Sequence, residues 1–207
     1  YRGTPIGPDE TTFDDARRVI RITHTEDLLP KPVVDYIKNG SADQETPKAF
    51  PQNTYFLINT LPDSCKIAEQ VAREMGLNAV TLTTFLEGES REAGMFFASL
   101  AREIQTNSRP FSAPCVILAA GETTTKISDN AEIRGHGGPS HELVAAFALA
   151  ASKVPGACML SIDTEGTDGT TLYAGGLTDS KTAEAARLAG IDLYEALRGH
   201  AVGEALV

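Results

Sequence analysis

The 207-residue sequence contains no tryptophan, only three cysteines and only 6% aromatic residues. Cys65, Cys115 and Cys158 are an odd number and each lies in or beside an apolar segment, so we expect buried, reduced thiols rather than a disulfide framework. No apolar run approaches the roughly 18 residues that a membrane span requires. These absences predict a cytoplasmic protein with no membrane partner.

Positive charge is also scarce, because 18 lysines and arginines face 28 acidic residues and leave a net charge of −10. Nucleic-acid-binding proteins carry a basic face, so the sequence argues against a nucleic-acid partner. Hydrophobic residues at 42% and charged residues at 22% exclude a disordered chain. The sequence therefore predicts an acidic globular protein, long enough for one large or two small domains.

Residues 1–53 carry six of the eleven prolines and little sustained apolar pattern. Acidic residues after Thr12 predict a helix from Phe13 to Ile20, and Asn39-Gly40 predicts the end of a second helix that begins at Pro32. We predict that residues 1–53 form a helical, proline-rich connector or arm.

Short apolar runs alternate with stretches of helical periodicity from residue 54 onward. The apolar runs lack a polar alternate face, which is typical of strands covered on both sides; they span 55–58, 79–82, 115–119 and 157–162. Helical periodicity is found at 67–75, 93–104, 143–151 and 179–188, with Asp179 as the last N-cap. This alternation predicts an α/β fold with a mostly parallel sheet between two layers of helices.

A parallel sheet binds ligands beyond the carboxyl ends of its strands. All four predicted strands become small and polar there, at 59–60, 83–84, 121–124 and 163–169. Polar turns are common after strands, so each segment alone has a second explanation. Glycines, hydroxyls and carboxylates nevertheless come together in the last two segments, and we predict binding residues there: Gly121, Glu122, Thr123, Thr124, Thr164, Thr167 and Asp168.

A glycine-rich segment precedes the helix predicted at 143–151. Glycines allow a close approach of the backbone and a helix N-terminus favours anions, so the segment suits a phosphate or carboxylate as well as it suits a flexible turn. It is not a dinucleotide-binding fingerprint, because Ser140 stands where the third glycine is required. The candidate residues are Arg134, Gly135, His136, Gly137, Gly138 and Ser140.

Three acidic side chains, Asp163, Glu165 and Asp168, offer oxygen ligands for a divalent cation, although Asp also forms local turns. The spacing does not fit a calcium loop. If magnesium binds here, substrate phosphates and water should complete its coordination shell. His141 and Glu142 are adjacent at a helix start, so we expect one to face the crevice and the other to be solvated. His200 has no acidic companion at useful spacing, and we expect it on the surface.

An ordered set of motifs across nearly the whole chain resembles the class II glycerate 2-kinases, whose C-terminal part is called the MOFRL domain. The matching segments are PDETTF at 8–13, ETPK at 45–48, LEGE at 86–89, GETT at 121–124, GHGG at 135–138 followed by Glu142, TEGTDG at 164–169 and AGG at 174–176. Many relatives have a basic residue followed by Asn-Gln-Glu where this chain has PSHE at 139–142, and Asp-Gly where it has Glu165-Gly166.

The resemblance implies a two-domain enzyme that transfers the γ-phosphoryl group of ATP to the 2-hydroxyl of D-glycerate with magnesium. It places the active site in the cleft between an N-terminal Rossmann-like domain and the C-terminal domain. On this reading residues 1–53 would join a nucleotide-binding domain that the sequence lacks, and 54–207 would be a MOFRL-like domain without its final strand.

Two other functions stay open at this point. One is a non-catalytic module that binds a small anion or a partner domain, and the other is a hydroxypyruvate reductase, a name that some relatives carry. The sequence also leaves open the identity of the catalytic base and whether the protein forms a homo-oligomer.

Overall fold

The computed structural model describes residues 7–52, 56–127 and 132–207. The chain divides into two compact units, Tyr1–Leu57 and Ile58–Val207. Among the described residues no helix is long and apolar enough to cross a membrane.

The first unit contains helices α1 (Phe13–Thr23) and α2 (Lys31–Asn39) and two short 3-10 turns, Glu26–Leu28 and Ala42–Gln44. Thr12 and Asp15 form a capping box at the start of α1, in which each side chain accepts a hydrogen bond from the other's backbone N–H. Pro32 lies in the first turn of α2, where its missing N–H has no intrahelical partner to lose. Both helices predicted in this region are confirmed.

The second unit alternates helices and strands before ending in three short helices. The elements in chain order are α3 (Leu61–Glu74), β1 (Asn78–Glu89), α4 (Ser90–Asn107), β2 (Cys115–Thr124), α5 (Pro139–Ala150), β3 (Cys158–Ile162), β4 (Gly175–Asp179), α6 (Thr182–Leu188), α7 (Leu193–Arg198) and α8 (Val202–Ala205).

Strands β1 and β2 pair in parallel, from Asn78 opposite Cys115 to Glu89 opposite Thr124. Helices α3 and α4 pack on this sheet, which confirms the predicted α/β fold with a parallel sheet flanked by helices. Strand β3 pairs antiparallel with β4. Strand β4 was not predicted, because its two adjacent glycines weaken any strand pattern.

The strand predicted at 55–58 was wrong for its described part. Residues 56–58 are not in a strand, and the Ile58 side chain is fully exposed. Residue 55 lies outside the described residues. An isolated apolar run forms a strand only where a neighbouring strand takes its backbone hydrogen bonds, and among the described residues none pairs with 56–58.

The three cysteines are free, as predicted, but only one of them is buried. Cys65 lies inside, Cys115 is partly exposed, and Cys158 is exposed on the outer face of β3. A side chain on a strand points to the face opposite that of its neighbours, so an apolar run places half of its residues outward when only one face is covered.

Helix α5 lies at the centre of the second unit. It is buried from Ser140 to Ala148 because α4 packs on one side, β3 and β4 on another, and α7 on a third. A helix that is buried all round has no polar stripe, which explains why α5 is apolar throughout from Leu143 to Ala150. A Cβ at Gly94 would lie 2.3 Å from the Leu143 carbonyl oxygen, so α4 and α5 approach closely at that glycine. This packing fixes the position of the α5 N-terminus.

Candidate functional site

The N-terminus of α5 is capped by the carboxylate of Asp168. Its Oδ1 accepts a hydrogen bond from the Ser140 backbone N–H at 3.1 Å, and its Oδ2 accepts one from the His141 backbone N–H at 2.9 Å. The His141 ring Nδ1 lies 2.5 Å from the same Oδ2. Asp168 therefore occupies the amides that the sequence analysis expected to hold a ligand anion.

The surroundings of Asp168 favour its charged form. Burial alone raises its pKa, but the hydrogen bonds from the His141 ring and from the backbone of His141 and Ser140 outweigh burial and lower the pKa below its usual value of 3.8. The buried carboxylate is thus ionised at neutral pH and stabilises the positive end of α5.

The glycines before α5 allow two segments of this chain to pack closely. A Cβ at Gly138 would lie 2.5 Å from Cγ of Asp168, and a Cβ at Gly169 would lie 2.2 Å from the Gly137 carbonyl oxygen. Gly169 also has φ +57°, which favours glycine. The Gly137 carbonyl accepts a hydrogen bond from the Thr170 backbone N–H at 2.9 Å. Close packing of the two loops thus accounts for Gly138 and Gly169 in this structure.

The three carboxylates proposed for magnesium are not arranged for a metal. The described residues contain no group of three or more His, Cys, Asp or Glu side chains that could hold a metal ion. Oδ1 of Asp163 accepts a hydrogen bond from the Glu165 backbone N–H at 2.8 Å, as in a local turn, while Asp168 is engaged inside. The structure therefore does not bring Asp163, Glu165 and Asp168 together as three ligands, because Asp163 accepts from its own turn and Asp168 accepts from the backbone of α5.

The rest of this loop is exposed. Thr164 and Thr167 both have exposed side chains on the segment that carries Asp168 inward. The neighbouring hydroxyls Ser140 Oγ and Ser161 Oγ lie 3.0 Å apart and join the start of α5 to β3. Whether Thr164, Thr167 and Ser140 bind a ligand stays a prediction.

The carboxyl edge of the parallel sheet is joined to the start of α4. Glu122 lies opposite Glu87, and Ser90 Oγ lies 3.0 Å from both the Thr123 hydroxyl and the Thr124 carbonyl oxygen. A Cβ at Gly121 would lie 2.1 Å from the Leu86 carbonyl oxygen, so this glycine is required by the close approach of β1.

The basic residues before α5 are already paired with acidic side chains. Arg134 lies 2.8 Å from Glu132, and its backbone N–H donates to the Gly199 carbonyl at 2.8 Å. His136 donates its backbone N–H to Glu204, and its ring Nδ1 lies 2.6 Å from Glu204 Oε1. The His136 side chain holds the pKa of Glu204 below its usual value. A Cβ at Gly135 would lie 2.7 Å from Oε2 of the same carboxylate.

Arg91, Glu142 and His200 form a cluster that no local sequence pattern predicts. Arg91 at the start of α4 donates from Nε to Glu142 Oε2 at 2.6 Å, and Glu142 Oε1 lies 2.7 Å from Nδ1 of His200. The prediction that His200 lies on the surface was wrong, because its side chain is buried. The prediction that one of His141 and Glu142 is solvated was also wrong, because both side chains are buried. Arg91 and Glu142 are 51 positions apart along the chain, and Glu142 and His200 are 58 apart, so local spacing carried no signal of this cluster.

A continuous series of contacts joins the predicted segments within the second unit. Thr123 contacts Ser90, the next residue Arg91 contacts Glu142 on α5, and Asp168 caps the same helix two residues earlier. The segments predicted at 121–124, 134–140 and 163–169 thus gather around the N-terminal ends of α4 and α5.

Comparison with known proteins gives matches along nearly the whole chain. Residues 115–206 match the family model described as the MOFRL family. The glycerate 2-kinase of Pyrococcus horikoshii is 35% identical over 205 residues, which cover 98% of this chain and 46% of that protein. A protein of Agrobacterium vitis that bears a hydroxypyruvate reductase name is 32% identical over 95% of this chain and 49% of its own length.

A solved structure has the same fold. The crystal structure of glycerate kinase from Thermotoga maritima superposes with a TM-score of 0.74 at 34% identity, over 96% of this chain and 45% of that one. The chain therefore spans about half the length of the proteins it matches.

Proposed function

Because this chain belongs to the MOFRL family through residues 115–206, we propose that it is a portion of a glycerate 2-kinase, an enzyme that phosphorylates D-glycerate at the 2-hydroxyl. The observation that carries the proposal is 35% identity to a glycerate 2-kinase across 98% of this chain. The clustering of the segments at 121–124, 134–140 and 163–169 supports it, because these are the motifs that resemble the family.

The two substrates are assigned to different halves of the enzyme. This chain corresponds to about half of its relatives, and the resemblance to the class II glycerate 2-kinases implies a separate nucleotide-binding domain. We therefore assign the nucleotide, taken as ATP, to the other half and the glycerate side of the cleft to this half. Phosphoryl transfer depends mainly on positioning and on stabilising negative charge. The contribution of this chain is a rigid α5 N-terminus and fixed polar groups beside it, and its activity alone should be very low.

Magnesium is expected in such a reaction, but the residues of this chain do not fit a metal site of their own. Asp168 is held by the backbone of α5, and among the described residues no other acidic group gathers three ligands. We therefore assign no step of the reaction to a metal bound by Asp163, Glu165 and Asp168. A cytoplasmic location remains part of the proposal.

The test is an assay of the complete gene product that contains this chain. ATP-dependent formation of ADP that requires D-glycerate, and that is absent with glycerol, supports the proposal. No turnover with D-glycerate at saturating ATP and magnesium contradicts it.

A reductase is the second candidate, because the relatives from Agrobacterium vitis carry a hydroxypyruvate reductase name. The same preparation incubated with hydroxypyruvate and NADH or NADPH distinguishes the two reactions. Loss of absorbance at the nicotinamide band without ADP formation favours the reductase.

A further inference from the structure

Arg91 is a cation held rigidly at the N-terminal end of α4, where the segments at 121–124, 134–140 and 163–169 gather. It is the second residue of α4, directly after β1, and its side chain is 26% exposed. Its Nε donates to the carboxylate of Glu142 at 2.6 Å, and the Glu142 side chain is only 1% exposed. A buried carboxylate that pairs with one edge of a guanidinium fixes the direction of the whole planar group.

The other edge of this guanidinium still has free donors. His200 Nδ1 lies 2.7 Å from Glu142 Oε1 and 3.0 Å from Arg91 Nη2. One ring nitrogen cannot donate to Glu142 and accept from Arg91 at the same time, so this nitrogen makes only one of the two hydrogen bonds. Within 7–52, 56–127 and 132–207, Nη1 has no hydrogen-bond partner.

The positive groups nearer the glycines are not available in the same way. Arg134 and His136 are each paired with exposed acidic side chains, and the first amides of α5 are occupied by Asp168. Arg91 differs because its acidic partner is buried and contacts only one of its edges.

An unsatisfied hydroxyl lies on the residue that follows β2. The side-chain oxygen of Thr125 is buried and has no hydrogen-bond partner among the described residues. Thr125 follows Thr124, whose carbonyl oxygen lies 3.0 Å from Oγ of Ser90, the residue before Arg91. Buried hydroxyls nearly always have a partner, so this atom has the capacity for one further hydrogen bond.

We propose that Arg91 binds the anionic oxygens of the substrate, with Glu142 and His200 as positioning residues that orient its guanidinium. The inference rests on the proposed function and names the residue that recognises the carboxylate of glycerate. The planar fork of Arg91 matches a carboxylate or a phosphate with two parallel hydrogen bonds. We assign it to the carboxylate, and a phosphate is tested separately.

The direct test follows the Arg91 side chain by NMR in the 207-residue chain labelled with ¹⁵N-arginine. D-glycerate should shift the Arg91 Nε–H signal in a saturable way, whereas glycerol, which lacks the carboxylate, should not. A shift with inorganic phosphate but none with D-glycerate overturns the assignment to the carboxylate. No saturable shift with either anion overturns the proposal.

Variants separate binding from a merely structural role. Arg91→Ala should weaken D-glycerate binding at least about tenfold, and added guanidinium ion should restore part of it, because the lost group is a charged hydrogen-bond donor. Arg102→Ala is the matched control on the same helix, since Arg102 donates an exposed hydrogen bond to the Ala150 carbonyl. Equal binding by the Arg91→Ala and Arg102→Ala variants contradicts the proposal.

A second pair of variants covers the case in which Arg91→Ala does not fold. Arg91→Lys keeps a charge beside Glu142 but removes the fork, and Glu142→Gln keeps the fork but weakens its orientation. In the complete gene product we expect both to raise KM for D-glycerate at least about fivefold while KM for ATP stays within about twofold. Unchanged KM for D-glycerate in both variants overturns the proposal.

Failure of this inference is distinguishable from failure of the proposed function. Phosphorylation of D-glycerate with a KM that does not depend on Arg91 overturns the inference and leaves the kinase in place. Arg91-dependent binding of D-glycerate without any phosphorylation contradicts the kinase and leaves Arg91 as the anion-binding residue.

Discussion

Replacing Asp168 by asparagine tests whether its carboxylate fixes the N-terminus of α5. The substitution preserves volume but places an amide NH₂ where one carboxylate oxygen accepted hydrogen bonds. The wild-type oxygens accept from the backbone of Ser140 and His141 and from the His141 ring. Loss of one helix cap costs about 1 kcal/mol, and loss of a hydrogen bond to a charged group costs about 1.5–3 kcal/mol. We expect Asp168→Asn to lower the free energy of unfolding by about 3 kcal/mol.

The measurement is urea unfolding at neutral pH, followed by circular dichroism. Asp163→Asn is the control, because Asp163 accepts one hydrogen bond at an exposed turn of the same loop and its loss should cost about 0.5 kcal/mol. In a double-mutant cycle with His141→Gln, the coupling should exceed about 1 kcal/mol. If Asp168→Asn unfolds like Asp163→Asn, the carboxylate does not hold the helix and the reasoning is refuted.

Three further predictions concern pH, a close contact and a helix cap. Because the folded pKa of Asp168 lies below 3.8, its contribution to stability is present at neutral pH and is lost as the pH falls below about 4; unfolding of Asp168→Asn should therefore depend less on pH there than that of the wild type, and parallel curves would contradict this. Gly138→Ala should lower the free energy of unfolding by about 1–3 kcal/mol, because the added Cβ meets Asp168. Gly137→Ala should cost less, because the Cβ added there lies 3.3 Å from the nearest atom. Equal losses for the two variants by calorimetry would contradict the close packing of Gly138 on Asp168. Thr60→Ala should lower the free energy of unfolding in urea by about 1 kcal/mol, because the Thr60 hydroxyl accepts a hydrogen bond from the Asp63 backbone N–H at the start of α3. An unchanged free energy would show that this cap does not stabilise the helix.

Local patterns in the sequence were enough to predict most elements of the fold. Helices were predicted from apolar periodicity and from caps such as Thr12, and the β1 and β2 strands from apolar runs. Residues 56–58 show the limit of this reasoning, because an apolar run does not say whether a partner strand exists. Strand β4 shows the opposite limit, since Gly175 and Gly176 hide a strand that pairing with β3 stabilises.

The candidate site was predictable as a set of segments but not as a set of contacts. Glycines and strand ends pointed to residues 121–124, 134–140 and 163–169, and the structure brings these together. The sequence could not show that Asp168 turns inward to cap α5. Nor could it show that Arg91, Glu142 and His200 meet, because their contact is made by tertiary packing and has no local signature.

The most direct test of the proposed kinase activity is ³¹P NMR of the complete gene product incubated with ATP, magnesium and D-glycerate. We expect 2-phosphoglycerate to appear together with ADP. An unchanged ATP spectrum, or phosphate at the 3-position of glycerate, would contradict it.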